Sequence, residues 1–313
     1  MATIGARLKN DGTLLTAGND PVEFDDGLDE VSQSTHSVTV SQIFANEFDE
    51  ITLSAGQPSG GSILLNGTTS YLTVAGSGDF QFGNNPFTIE GWFYATANTY
   101  QRLWCFPNGD NVEMLGSALY YWNGVSAPIS SGSNVIPQNQ WFHVALVKTS
   151  ASEAKVYVNG VSVIVDNAPY NSTTSRALVI GGEGASDITG QGSASGADGF
   201  FTGNITNFRV VKGVAVYTGN FSTPYSPLGA TQLSSVNVSA ITGSATVLLL
   251  KVINAGALTT DDSGTSKAVT NVGVASFSAL TPLSSTYNGK MKQRKSGQLL
   301  VANEFDEYTG ITV

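Results

Sequence analysis

Short apolar runs alternating with polar residues recur from residue 62 onward, and none keeps the 3.6-residue spacing of an amphipathic helix. Runs at 62–65, 70–74, 87–94, 119–122, 141–149 and 155–158 read as strands, with further ones at 177–180, 201–211, 245–253 and 268–277. Asn159-Gly160, between Lys155-Val156-Tyr157-Val158 and Val161-Ser162-Val163-Ile164-Val165, predicts a hairpin, because both central residues of a type I′ turn need positive φ. Within 201–211 the apolar parity changes between Ile205 and Phe208. A side-chain period of two cannot change phase without an extra residue, so a bulge is expected there. The stretch 181–199 is rich in Gly, Ser, Ala and Asp and reads as a surface loop with little apolar area to bury.

Composition sharpens this all-β reading. Gly supplies 35 of 313 residues and only 12% are charged, which suits many short strands joined by tight turns. The net charge of −10 argues against nucleic acid as a partner, because such affinity rests on Lys and Arg neutralising phosphates. The longest apolar run, 247–253, is short and interrupted by Lys251, and the N-terminus has no basic-then-apolar leader, so neither membrane insertion nor export by a signal peptide is expected. The single cysteine, Cys105, lies between Trp104 and Phe106 and reads as a small buried apolar residue.

The hexapeptide Ala-Asn-Glu-Phe-Asp-Glu occurs at 45–50 and again at 302–307. A looser copy, Glu23-Phe24-Asp25-Asp26, follows Lys9-Asn10-Asp11-Gly12-Thr13-Leu14-Leu15 much as the last copy follows Lys295-Ser296-Gly297-Gln298-Leu299-Leu300. Repetition reports a reused unit. The division expected is an N-terminal arm at 1–58 with two copies, a β-sandwich at 59–285, and a C-terminal arm at 286–313 with the third. One reading makes the arms partner-binding, with Phe24, Asp25, Glu47, Phe48, Asp49, Glu50, Glu304, Phe305, Asp306 and Glu307 at the contact: aromatic rings in apolar pockets, carboxylates on basic groups at the rim. The other has two similar edge strands pairing with one another. Lys290, Lys292, Arg294 and Lys295 hold four of the chain's 14 cationic residues. They read as a solvated hinge or as a contact for an acidic neighbour, such as 23–30 or 46–50 of another subunit.

Leu65-Asn66-Gly67-Thr68-Thr69-Ser70-Tyr71-Leu72-Thr73-Val74, then Phe87-Thr88-Ile89-Glu90-Gly91-Trp92-Phe93, Trp141-Phe142-His143-Val144-Ala145-Leu146-Val147, Tyr157-Val158-Asn159-Gly160-Val161, Ile180-Gly181-Gly182 and the 201–210 segment resemble, in order, the laminin-G-like, concanavalin A-like lectin/glucanase family. Lys212-Gly213-Val214-Ala215-Val216-Tyr217-Thr218-Gly219-Asn220-Phe221, with Pro224, Pro227-Leu228, Asp261-Asp262-Ser263-Gly264 and Ala279-Leu280-Thr281-Pro282, is similar to the variant found in virion proteins of tailed, notably marine, bacteriophages. The resemblance covers about 62–283. It implies a jelly-roll β-sandwich flanked by extended arms, and no particular activity, since the fold hosts sugar binding, hydrolysis and plain structural packing.

The glucanase branch implied by that resemblance works with paired carboxylates on one strand, and here the matching strand offers Glu90 alone. No enzyme is expected. His143 stands at the family's Trp-x-His position, where an imidazole donating to backbone is expected. No cluster suits zinc. No cofactor is required; Ca²⁺ stays open, with Asp110, Asp187 and Asp198 as loop candidates. Tyr121 and Trp122, beside Trp104 and Tyr120, either stack on sugar rings or fill the core. The leading expectation is a structural protein of a tailed-phage virion, made in the bacterial host cytoplasm and displayed on the particle surface. Its arms would bind capsid or tail proteins and further copies of itself as a homo-oligomer, for which a trimer is suitable, with capsid decoration ahead of a tail-fibre or collar role. The alternative is a glycan-binding adhesion module for host surface polysaccharide.

Overall fold

A computed structural model describes residues 3–4, 48–52, 60–107, 109–124, 127–169, 173–182, 199–224, 226–283, 290–294, 299–300 and 311–312. The chain divides into two compact units, one formed by both ends (Met1–Gln57 with Ser285–Val313) and one by Pro58–Ser284. From the first unit's N-terminal side come strands β1 (Thr3–Ile4) and β2 (Phe48–Thr52).

The second unit contains β3 (Ser62–Asn66), β4 (Tyr71–Val74), β5 (Phe87–Ala95), β6 (Gln101–Cys105), β7 (Asn111–Leu115), β8 (Ala118–Trp122), β9 (Ile129–Ser130) and β10 (Trp141–Ser150). It continues with β11 (Glu153–Val158), β12 (Val161–Asp166), β13 (Leu178–Ile180), β14 (Thr202–Lys212), β15 (Thr246–Leu250), β16 (Val269–Val272) and β17 (Ser276–Ser278). Eight strands form one antiparallel sheet in the order β12-β11-β10-β5-β14-β3-β17, with β15 also on β14; seven form the other, β16-β4-β13-β6-β7-β8-β9. Among the described residues the only helical turns are 3-10, at Gly78–Phe80 and Ala255–Ala257.

Alternation builds the sandwich. On β5, Phe87, Ile89, Phe93 and Ala95 enter the core between the sheets, as do Phe142, Val144 and Leu146 of β10, so Glu90, Trp92, Tyr94, Trp141 and His143 stand on the outer face. The expected hairpin is present, with Asn159 at φ 48° and Gly160 at φ 78°. So is the expected bulge. The β14–β5 register passes from Thr206↔Trp92 to Arg209↔Glu90, leaving Asn207 and Phe208 opposite Gly91, and Asn207 has φ 50°. The extra residue turns Phe208 and Val210 into the core and carries Arg209 to the outer face beside Glu90.

Two readings of the strand pattern change. The run 268–277 is two strands on different sheets: β16 pairs with β4 and β17 with β3. Between them the Asn271 side chain bonds the N–H and C=O of Ala275, and Gly273 sits where a Cβ would lie 2.0 Å from the Thr69 carbonyl oxygen. Strands β6, β7 and β9 were absent from the pattern. On β6 a register shift between Arg102 and Trp104 breaks the period of two, and buried Arg102 and Glu113 put charge at positions that read as exposed. The loop expected at 181–199 lies, for 183–198, outside the described residues.

In the end unit β18 (Lys290–Arg294), β19 (Leu299–Leu300) and β20 (Ile311–Thr312) complete two small sheets, β19-β18-β2 and β1-β20.

Candidate functional site

The outer face of the eight-stranded sheet has a closed part and an open part. Over the closed part runs the chain from Gly213 to Ala245. Its Val216, Tyr217 and Ile241 bury against Ala145, Val147, Tyr157 and Val211, forming a second, smaller hydrophobic cluster. Thr88 fixes the strap at its start, donating to the Val214 carbonyl (3.1 Å) and accepting from the Val216 N–H (2.9 Å).

Beneath this strap lies Glu90, fully buried. Its Oε1 accepts from Arg209 Nε (2.9 Å) and Nη2 (2.6 Å); its Oε2 accepts from Tyr217 Oη (2.6 Å) and lies 3.1 Å from His143 Nε2. The remaining Arg209 donors meet the Gly229 carbonyl (2.9 Å) and Gln232 Oε1 (2.8 Å). Burial alone would raise the Glu90 pKa, but the Arg209 charge, with His143 and Tyr217 hydrogen bonds, brings it down to about 2. Burial and the adjacent carboxylate push the Tyr217 hydroxyl well above its ordinary value. A group held ionised in this way cannot deliver a proton to a leaving group, which needs a raised carboxyl pKa. The strap also keeps Glu90 out of contact with solvent. The backbone acceptor expected for His143 is replaced by Glu90: an ionised carboxylate only accepts, so Nε2 carries the proton.

Further along the same strands the face opens. Register sets Trp141, Tyr94, Asn204 and Leu64 side by side across β10, β5, β14 and β3, with Trp92 and Thr206 in the next row. The Trp141 and Tyr94 rings meet edge to face at 5.5 Å, and those of Trp92 and His143 at 5.3 Å. Tyr94 and Trp141 are half-buried, Leu64 is 42% exposed and Trp92 9%. Asn204 donates to Ser62 Oγ (3.0 Å) and Thr206 to the Lys251 carbonyl (3.2 Å). Among the described residues, the indole N–H groups of Trp92 and Trp141 and the amide nitrogen of Gln138 are buried without a hydrogen-bond partner. Such donors are rare in folded proteins and call for an explanation.

The residues singled out from sequence lie elsewhere. Tyr121 points into the core, 1% exposed, so it offers no stacking surface; strand alternation leaves Trp122 half-buried on the outer side of the seven-stranded sheet. Asp110 is not an open loop ligand. It is 2% exposed and accepts from Tyr121 Oη at 2.6 Å, and burial raises its pKa to about 6. Among the described residues no group of three or more His, Cys, Asp or Glu could hold a metal ion. Asp187 and Asp198 fall outside the described residues, as do Phe24, Asp25, Glu47, Lys295, Glu304, Phe305, Asp306 and Glu307. Phe48, Asp49 and Glu50 are on β2, whose partner is β18 of the same chain, with Glu50 opposite Lys292, Asp49 opposite Gln293 and Phe48 opposite Arg294. In backbone register, then, Lys292 has an acidic residue opposite it within the chain and Arg294 an aromatic one. Sequence reasoning passed over Trp92, Tyr94 and Trp141 as binding residues, although their alternation with core residues places them together.

Residues 66–215 match the profile of the Concanavalin A-like lectin/glucanases superfamily. Among solved structures, the native heptameric SAP-like pentraxin of Limulus polyphemus is 16% identical, over 49% of this chain and 76% of that one, with a TM-score of 0.38. Domains LG4-5 of the mouse laminin alpha1 chain are 15% identical over 48% and 40%, with a TM-score of 0.36. A candidate carbohydrate binding protein of Bacteroides ovatus is 13% identical over 71% and 63%, with a TM-score of 0.45. The chain thus spans less than two thirds of the laminin and Bacteroides chains. No curated protein matches it. The sandwich has a concanavalin A-like fold, and its residues 66–215 are similar to that superfamily.

Proposed function

We propose that this chain is a non-catalytic carbohydrate-binding protein displayed on the surface of a tailed-phage virion. It is made in the host cytoplasm and attached through its end segments to capsid or tail proteins as a homo-oligomer, a trimer being suitable. One observation carries the carbohydrate reading: the half-buried Tyr94 and Trp141 rings stand edge to face at 5.5 Å in one row with exposed Leu64. Aromatic faces take the C–H face of a sugar ring. The closed centre of the same face supports binding without hydrolysis, because Glu90 is committed to Arg209. The resemblance of 212–221, with Pro224, Pro227-Leu228, 261–264 and 279–282, to the variant found in tailed-phage virion proteins supports the location.

Titrating the full chain with fragments of host surface polysaccharide tests the first part. Saturable binding that Trp141→Ala abolishes, with an unchanged melting temperature, is expected. Absence of binding to any fragment overturns the carbohydrate reading. A second reading, a head-decoration protein in which the sandwich only covers the lattice, is favoured by one observation: both ends of the chain enter a single small unit, with β2 on β18 and β1 on β20. Localisation on intact particles by electron cryo-microscopy separates the two. Coverage of the head lattice supports decoration, and confinement to the tail or collar supports host recognition.

A further inference from the structure

We infer that the open row takes an unbranched glycan segment of several units laid across the strands, an inference that rests on the carbohydrate-binding reading above. The first step is the length of the row. Register extends Trp141–Tyr94–Asn204–Leu64 by one strand, because Leu64 is opposite Ser276 on β17, and residues opposite one another share a face. Five neighbouring strands therefore contribute. Four inter-strand steps of about 4.8 Å make the row about 19 Å long, the reach of roughly four hexose units. Trp141 and Tyr94 are half-buried, Leu64 and Ser276 are exposed, and Asn204 lies low between Tyr94 and Leu64.

The second step is its width. On one side stand exposed Thr96 and half-buried Thr202, where the Thr96 N–H and Oγ1 both donate to the Thr202 carbonyl (3.0 and 3.2 Å). Asn66, opposite Thr202, turns its amide back on its own loop, accepting from the N–H groups of 68, 69 and 70. On the other side Trp92, Thr206 and Ser62 are no more than 9% exposed. Thr206 donates to the Lys251 carbonyl (3.2 Å) and Ser62 to the Leu280 carbonyl (2.6 Å). The accessible strip is thus five strands long and two residue rows wide. A single terminal sugar would use one end of it, whereas a chain uses its length.

The third step is chemistry. Neither accessible row contains Lys, Arg, Asp or Glu, so no ion pair fixes one sugar, and affinity has to accumulate unit by unit from ring faces and hydroxyl contacts. The large side chains lie along one row and the two threonine hydroxyls along the next, which matches rings that show C–H faces and carry hydroxyls at their edges. Once one unit is seated, the next is held over its own contacts at high effective concentration. The Tyr94 and Trp141 planes are inclined at 61°, so they cannot both lie on one flat crystal face of a polysaccharide. They can meet successive rings of a single twisted chain.

The test titrates the full chain with malto-, cello-, manno- and galacto-oligosaccharides of one to six units. In at least one series affinity is expected to rise about tenfold or more from one unit to four and to change less than about twofold from four to six. Leu64→Ser, at the far end from the aromatic pair, should weaken the four-unit ligand more than the two-unit one. Thermal melts confirm that the variant is folded. Equal affinity for one and four units in every series that binds overturns the inference and leaves the carbohydrate-binding reading standing. So does an equal loss for both lengths in Leu64→Ser, or capture on microcrystalline cellulose that exceeds binding to every soluble series. Binding of none of these and of no polysaccharide fragment overturns both.

Discussion

Replacing Arg209 by Met removes the cation that holds Glu90 ionised and leaves a buried carboxylate with only Tyr217 and His143 beside it. With contacts of 2.6 and 2.9 Å, the direct attraction is about 5 kcal/mol at an effective dielectric near 20. Breaking a buried pair by deleting one partner usually costs about 3–5 kcal/mol, because the other charge is stranded. Arg209→Met is therefore expected to destabilise the sandwich by about 4 kcal/mol. Replacing both members, in Glu90→Leu with Arg209→Met, removes the stranded charge and should recover at least half of that loss, since apolar replacements of buried ion pairs are often near neutral. Urea unfolding followed by tryptophan fluorescence reads this unit specifically, because all four tryptophans lie at 92, 104, 122 and 141. The pH dependence should reverse as well. In the wild type, Glu90 titrates near 2 when folded against 4.5 as reference, so its stabilisation is complete above about pH 4.5 and is lost, by roughly 3 kcal/mol, as pH falls towards 2. In Arg209→Met the burial that raises the Glu90 pKa is no longer opposed, and acid should restore stability by neutralising it. A loss below about 1 kcal/mol in the single variant, or strict additivity in the double, would refute the view of this cluster as a structural ion pair.

Asp110 should contribute the opposite sign: its folded pKa of about 6 against 3.8 means that stability from this group falls as pH rises between those values, by up to roughly 3 kcal/mol. Asp110→Asn should flatten the change in urea midpoint between pH 5 and 7. Gly160→Ala places a Cβ 1.9 Å from the Phe221 carbonyl oxygen at a φ of 78°, so it must push the strap off the hairpin and should cost about 2–4 kcal/mol in a thermal melt, whereas Asn159→Gly should stay within about 1. Deleting Asn207 removes the extra residue and leaves Phe208 facing in and Arg209 facing out, so it should cost only the bulge and its bond from the Leu228 N–H: the product should keep a cooperative unfolding transition at a lowered urea midpoint.

The strands that were legible in the sequence are those whose alternation survives into the structure. On β5 and β10 every second residue enters the core, and the bulge in β14 announced itself as a change of parity. Strands β6 and β7 escaped because Arg102 and Glu113 are buried on the outer side of their sheet, where Tyr100 Oη accepts from Arg102 Nε (2.8 Å) and donates to Glu113 Oε2 (2.7 Å). A buried charge in a strand looks like a solvent-facing position until the partner that folding brings beside it is known. The same limit governed the site. Glu90 was visible as a lone carboxylate, but its partner Arg209 lies 119 residues away, and only the fold brings Tyr217 over both. Tyr121 and Trp122 attracted notice as adjacent aromatics, yet adjacency in a strand sends side chains to opposite faces, so a shared surface needs residues two apart or on neighbouring strands. Trp92, Tyr94 and Trp141 meet that condition.

The position of the bulge links the closed and open parts of the face. Before it, β14 presents Asn204 and Thr206 outward against β3, which is also on that edge; after it, β14 presents Arg209 and Val211 outward, and the same edge is taken by β15. One inserted residue therefore divides the outer face into a polar, uncharged half beside the aromatic row and a charged half that requires cover. Left open to water, the Glu90–Arg209 pair would be screened and contribute little. Covered by the strap, it fixes the bulge, since Arg209 reaches Gly229 and Gln232 as well as Glu90, and Asn207 accepts from the Leu228 N–H at 2.9 Å. The strap thus locks the strand that forms one wall of the row. A substitution that frees the strap should loosen the geometry of Asn204 and Thr206 and weaken ligand binding at a distance, without exposing a carboxylate of catalytic pKa.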